Sequence, residues 1–193
     1  RAAEGPGHAA LGRGLLALGE DAAAVSHLRR AWESGYRVPD VACSLGLGLG
    51  RRYQQELTKG RRIQDPALRA TRLEESRRTL RDPALGYLRS CSGSGSAPAE
   101  YVKGLVAFYE GRHEEALRLA GAALARVRWL HEALLLEGDV LLERGVAARE
   151  RGDATAALRD FEAAEGAYRR AAGIARSDPR CRLRMARAWD AVG

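Results

Sequence analysis

The chain has 193 residues, of which 46% are hydrophobic and 30% are charged, and its formal net charge is +7. This composition allows a buried core. The sequence contains no apolar run of about 18 residues, so we expect no membrane span. The sequence begins at Arg1 without a methionine and ends at Gly193 within a predicted helix. We therefore expect a fragment of a longer protein.

Residues 11–31 define the pattern of the chain, since they predict two short amphipathic helices around a turn at Gly19. Counting from Gly12, small or apolar residues follow at offsets of 3, 7, 12, 16 and 19: Leu15, Gly19, Ala24, Leu28 and Ala31. Counting from Gly104, the same offsets give Ala107, Gly111, Ala116, Ala120 and Ala123. A fixed internal pattern of this kind predicts a repeat architecture.

The spacing of the glycines gives the length of the repeat. Gly12 and Gly46 are 34 residues apart, and so are Gly104 and Gly138. Helix-turn-helix units with this period resemble the tetratricopeptide repeat. The resemblance implies an all-α fold, a right-handed α-solenoid of helical hairpins, and a bacterial domain of a larger protein.

We expect one array over residues 1–193. Its repeats lie at about residues 5–38, 39–96, 97–130 and 131–178, and a final helix follows at 179–193. Two repeats exceed the period, by 24 and by 14 residues. Because the joints between repeats are nearly constant in length, the excess lies inside these two repeats.

The second repeat is predicted to hold a basic helical insertion over residues 51–83. Its first helix continues to about Lys59–Gly60, and Asp65–Pro66 and Asp82–Pro83 each predict a helix cap followed by a first helical residue. The low-complexity run CSGSGSAP, residues 91–98, predicts a flexible joint.

The three cysteines, Cys43, Cys91 and Cys181, have no paired spacing. Cys43 and Cys91 occupy small-residue positions of predicted helices, which favours buried free thiols. Free thiols favour a reducing compartment, so we expect a cytoplasmic location.

Several short strings imitate catalytic or binding motifs. The glycines Gly46, Gly48 and Gly50 lack the strand and the spacing of a dinucleotide site and the Lys-Ser/Thr pair of a phosphate loop. They are interpreted as close-packing positions in a helix. Neither His113 nor His131 has a second histidine four residues on, as a zinc-protease helix requires. We expect no catalysis, no cofactor and no metal site.

The resemblance implies a concave groove, lined by the first helix of each repeat, that binds a peptide or helix of a partner protein. The helical phase assigns to this groove Arg13, Leu47, Arg51, Tyr101, Leu105, Phe108, Tyr109, Asp139 and Leu142. Large rings bury much area with few rotatable bonds, so Tyr101, Phe108 and Tyr109 suit a binding hot spot. The alternative is that these rings fill the core, although the adjacent rings of Phe108 and Tyr109 are not expected to face inward together.

Positive charge is concentrated in residues 51–89, which hold eleven Lys or Arg against five acids. The basic residues assigned to a contact surface in the insertion are Arg52, Arg61, Arg62, Arg77 and Arg78. They predict either a contact for an acidic partner or phosphate backbone, or an ordinary solvated helix face. Nucleic-acid binding is disfavoured because Tyr53 and Tyr87 are the only aromatic residues among these charges.

Three functions follow from the sequence. The first is a non-catalytic interaction scaffold that binds a partner peptide or helix in the groove. The second is a regulatory segment of a larger signalling enzyme, such as a serine/threonine kinase, to which such arrays are appended in bacteria. The third is nucleic-acid or polyanion binding through the arginine-rich insertion.

Overall fold

The computed structural model describes residues 4–91 and 97–192, and over these ranges it contains helices and no strand. The all-α prediction is confirmed. The helices are α1 Glu4–Leu18, α2 Asp21–Glu33, α3 Pro39–Gly60, α4 Pro66–Ser76, α5 Asp82–Cys91, α6 Ala99–Tyr109, α7 His113–Arg126, α8 His131–Glu150, α9 Ala154–Ile174 and α10 Pro179–Val192. Residues 92–96 of the predicted flexible joint lie outside the described residues.

The chain divides into two compact units, residues 1–102 and residues 103–193, and the boundary falls within α6. In the first unit, α1 packs on α2, and α3 packs on α4 and α5. In the second unit, α8 packs on both α7 and α9, and α10 packs on α9.

A glycine of the first helix meets a leucine of the second helix in both hairpins of the first unit. A Cβ atom on Gly12 would lie 2.6 Å from Leu28 Cγ, and a Cβ on Gly46 would lie 2.6 Å from Leu88 Cγ. We call each such approach a glycine contact. No side chain fits between helices this close, so the interpretation of Gly46 as a packing position in a helix is confirmed.

The hairpin of α8 and α9 has two glycine contacts. Gly145 faces Phe161, and Gly138, one heptad earlier, faces Tyr168, one heptad later. From Gly145, the turn glycine Gly152 follows at +7 with a φ of 83°, just as Gly19 follows Gly12 with a φ of 82°. The 14 extra residues of this repeat are therefore seven on each helix, or about two turns.

The second hairpin is lengthened in a different way. α3 runs to Gly60 as predicted, and Asp65 caps α4, since its carboxylate accepts the Ala67 N–H at 2.8 Å. The predicted cap at Asp82–Pro83 is wrong. Residues 66–91 form one continuous helical run, in which residues 77–81 are a π-helical turn. Pro83 has no N–H and its ring crowds the carbonyl four residues back, so a wider turn just before it relieves the clash.

Cys43 and Cys91 form a disulfide that joins α3 to the end of α5, with Cα atoms 5.5 Å apart. The prediction of free thiols at these two positions is wrong. Their separation of 48 residues spans the lengthened hairpin, which folds back and returns Cys91 to α3. Cys181 is a buried free thiol, and burial raises its pKa.

The glycine contacts can be tested with a matched pair of variants in α1. In Gly12→Ala, the new methyl group collides with Leu28, so we expect a loss of about 1–3 kcal/mol in the free energy of unfolding. A Cβ on Gly14 meets nothing within 4 Å. Gly14→Ala should therefore add about 0.5–1 kcal/mol, because alanine loses less backbone entropy in a helix. Urea unfolding followed by circular dichroism measures both, and equal stability of the two variants would contradict the close approach.

The disulfide predicts a simple thiol count. Of three cysteines, two are bonded, so the protein denatured without reductant should react as one thiol per chain, and as three after reduction. Reduction should lower the free energy of unfolding by about 2–4 kcal/mol, because the cross-link restricts the unfolded chain. Cys181→Ala is the matched control and should keep the response to reductant. Three reactive thiols before reduction would contradict the pairing.

Candidate functional site

The groove residues predicted in α1 and α3 differ in their exposure and in their contacts. Arg13 is exposed and lies 3.9 Å from the Asp40 carboxylate. Leu47 is half-buried. Arg51 is half-buried, donates a hydrogen bond to the Leu16 carbonyl at 3.0 Å and lies 3.5 Å from Asp21. Arg51 thus gives a carbonyl at the end of α1 a second donor, beside the Gly19 N–H at 3.2 Å.

The predicted aromatic hot spot is buried. Tyr101, Leu105, Phe108 and Tyr109 are each only 5–8% exposed. The expectation that Phe108 and Tyr109 cannot both face inward is wrong, because every residue from Tyr101 to Tyr109 except Lys103 is buried. These rings therefore form no exposed surface in the structure.

Asp139, also assigned to the groove, connects three helices of the second unit. One of its oxygens accepts the Tyr168 hydroxyl at 2.9 Å and the Arg184 Nε–H at 2.7 Å, which joins α8 to α9 and α10. Burial and the nearby Asp139 charge raise the pKa of Tyr168 well above its ordinary value, so the phenol stays a donor. Leu142, half-buried, packs against the apolar clusters on either side of it.

Two further ion pairs lie in the second unit, one between α8 and α9 and one at the start of α10. Arg144 donates to the buried Asp160 through Nε at 2.6 Å and through a second nitrogen at 2.8 Å, and these bonds lower the Asp160 pKa. At the start of α10, burial disfavours ionisation of Asp178, but hydrogen bonds from Arg180 outweigh it and bring its pKa to about 2. His131 Nε2 lies 3.1 Å from the same carboxylate.

The outer face of α10 is an exposed apolar surface that the predicted groove did not include. Ala186 follows Gly138 by 48 residues and occupies the first-helix marker position, yet it is exposed. Leu183 and Trp189 on the same face are 55% and 59% exposed. The opposite face carries Cys181, Met185 and Ala188 into the core. The sequence held a signal for this face, because the period marks Ala186 as a position that a second helix covers.

The basic residues of the insertion are mostly exposed. Arg61, Arg62, Arg77 and Arg78 are exposed, and Arg52 is half-buried. Neighbouring acids offset part of the charge: Arg77 lies 3.4 Å from Glu74 and Arg72 lies 3.0 Å from Glu75. Hydrogen bonds from Arg77 to Tyr53 and to Glu74 raise the pKa of its guanidinium.

Among residues 4–91 and 97–192, no group of three or more His, Cys, Asp or Glu side chains is arranged to hold a metal ion. Over the same residues, no helix has the length and apolar character needed to cross a membrane.

Comparison of the chain with protein-family models, with curated proteins and with solved structures finds no match.

Proposed function

We propose that this chain is a non-catalytic scaffold of tetratricopeptide-like hairpins that binds a helix of a partner protein. The recurrence of one contact supports the repeat: Gly12, Gly46 and Gly145 each lie against a large side chain of the second helix of their hairpin, α2, α5 and α9 respectively. Hairpins that repeat one contact stack easily on further helices, which is how such proteins build binding surfaces.

The observation that carries the proposal is the exposed face of α10. At Gly12, Gly46 and Gly138, the corresponding face is covered by a helix that presents Leu28, Leu88 or Tyr168. At Ala186, no helix of the described residues covers it. Large exposed apolar side chains grouped on one face mark interaction sites. The proposed contact surface is therefore Leu183, Ala186 and Trp189, in place of the buried aromatic residues of α6.

The existing hairpins support a proposal for the chemistry of the partner helix. The covering helix presents a leucine or an aromatic residue over the marker and a small residue four positions before it, as Ala24 precedes Leu28 and Ala84 precedes Leu88. We expect an amphipathic partner helix with the same spacing, since residues four apart share one helix face. Trp189 supplies the large aromatic area typical of a hot spot.

A photo-crosslinker placed at residue 186 tests this surface. We expect Ala186→benzoylphenylalanine to give discrete crosslinked proteins in a lysate of the source organism. The same probe at Ala163, an exposed alanine of α9, is the matched control and should not give them. Adding Leu183→Asp and Trp189→Asp should abolish the products, and both positions tolerate charge because they are exposed.

Two results would overturn the proposed surface. Identical products from residues 186 and 163 would mean non-specific capture. Products from a probe at Arg13 with none from residue 186 would favour the groove predicted from the sequence.

Polyanion binding is a second candidate, favoured by the exposure of Arg61, Arg62 and Arg78. If it is correct, affinity for duplex DNA should fall steeply between 50 and 200 mM salt, with a log–log slope of about −0.9 for each phosphate neutralised. The variant Arg61→Gln/Arg62→Gln/Arg78→Gln should flatten the slope. The matched control changes three exposed arginines of the second unit, Arg128, Arg176 and Arg182, to glutamine. Equal effects of the two triple variants, or binding that ignores salt, would contradict this candidate.

The compartment stays a prediction, as does a role as regulatory segment of a signalling enzyme. The disulfide weighs against the expected cytoplasmic location, because disulfides persist mainly in oxidising compartments.

A further inference from the structure

Two histidines far apart in sequence meet between α1 and α2. His8 Nδ1 lies 3.0 Å from His27 Nδ1, and the ring centroids are 5.2 Å apart. Both residues are half-buried, so solvent reaches the pair. Neither the repeat pattern nor the packing of the hairpin requires a histidine at these positions, because the core between α1 and α2 is formed by apolar residues such as Ala9, Leu16 and Leu28.

Two imidazole nitrogens facing each other at this distance require a proton or a cation between them. In one neutral arrangement, one Nδ1–H donates a hydrogen bond to the other Nδ1, which places the two rings in different tautomers. If both rings carry their proton on Nε2, two lone pairs face each other. Two facing lone pairs repel unless a cation lies between them.

We propose that His8 and His27 form a two-histidine site for a divalent transition metal. Nitrogens bound to zinc at 2.0–2.1 Å, with an angle of 90–110° between them, are about 2.8–3.4 Å apart. The observed 3.0 Å falls in this range. A small rotation of each ring about its Cβ–Cγ bond directs both lone pairs to one point, and that torsion is soft in histidine.

The donor set restricts the choice of metal. Imidazole nitrogen suits Zn²⁺, Cu²⁺ and Ni²⁺, whereas Mg²⁺ and Ca²⁺ prefer oxygen ligands. No third His, Cys, Asp or Glu of the described residues joins the pair to form a group of three. Water completes the coordination shell, so the site is open and binds the metal reversibly.

Metal binding would connect α1 to α2 at a point distant from their turn. His8 lies near the start of α1, and His27 lies in the second half of α2. A metal that binds the folded hairpin and not the unfolded chain stabilises the folded state in proportion to the logarithm of its concentration. The first unit should therefore become more stable as the metal is added.

Thermal unfolding of the tag-free, chelator-treated chain tests the site. We expect the midpoint temperature of unfolding to rise with the concentration of added Zn²⁺, Ni²⁺ or Cu²⁺ and to stay constant with Mg²⁺. EDTA should return it to its starting value. His8→Gln and His27→Gln should each remove the response. His113→Gln is the matched control and should keep it, because His113 lies beside Phe108 in the second unit.

A readout on the unmodified chain covers the case in which a variant fails to fold. The electron paramagnetic resonance spectrum of the Cu²⁺-loaded chain should show coupling to two imidazole nitrogens at one copper per chain. A midpoint that ignores all three metals would overturn the proposal and leave the pair as a hydrogen bond. A metal response that survives in both His8→Gln and His27→Gln would overturn it as well.

Discussion

The close approach between a glycine and a large side chain determines how the two helices pack in three of the hairpins, α1 with α2, α3 with α5 and α8 with α9. At Gly12 and Gly46, the leucine opposite fills the volume that a Cβ would occupy. The approach also leaves the carbonyl oxygens of Ala24 and Ala84 3.1 Å from those Cβ positions, so the two backbones nearly touch. Because interiors pack at nearly crystalline density, such a contact fixes the rotation of both helices about their axes. Once that rotation is fixed, the helical period determines which other residues of each hairpin face the partner helix.

Each of the two lengthened hairpins has a second glycine contact on the same helix faces as the first. The two hairpins align these contacts in different ways. In α8 and α9, the two contacts are seven residues apart on each helix, so ordinary α-helix preserves their phase. In the other hairpin, Gly46 and Gly60 are 14 residues apart, whereas the opposing Leu88 and Leu73 are 15 apart. The π-helical turn at 77–81 bonds each N–H to the carbonyl five residues back, so it holds the one extra residue.

The fold was predictable where one residue type has one physical role. The spacing of the glycines predicted which helices pair, and Asp65–Pro66 predicted a helix cap that the structure contains. Both signals depend on residues close together in the sequence. The failures concern positions decided by distant parts of the chain. Asp82–Pro83 has the composition of a cap, but packing of Leu88 on Gly46 keeps the helix continuous through it. The Cys43–Cys91 pairing depends on the return path of a 48-residue segment, and the burial of Phe108 and Tyr109 depends on the neighbours of α6.

The last helix is held by polar contacts as well as by the apolar packing of Cys181, Met185 and Ala188. Arg184 bonds to Asp139 on α8, and the Asp178 carboxylate at the start of α10 lies against Arg180 and His131. Charge-assisted hydrogen bonds are directional, so together with this packing they fix the rotation of α10 without a glycine contact. Leu183, Ala186 and Trp189 are thereby held outward on a helix that is already formed and oriented. The partner helix that we propose would bind there without the entropic cost of ordering the surface, and such preorganisation favours affinity.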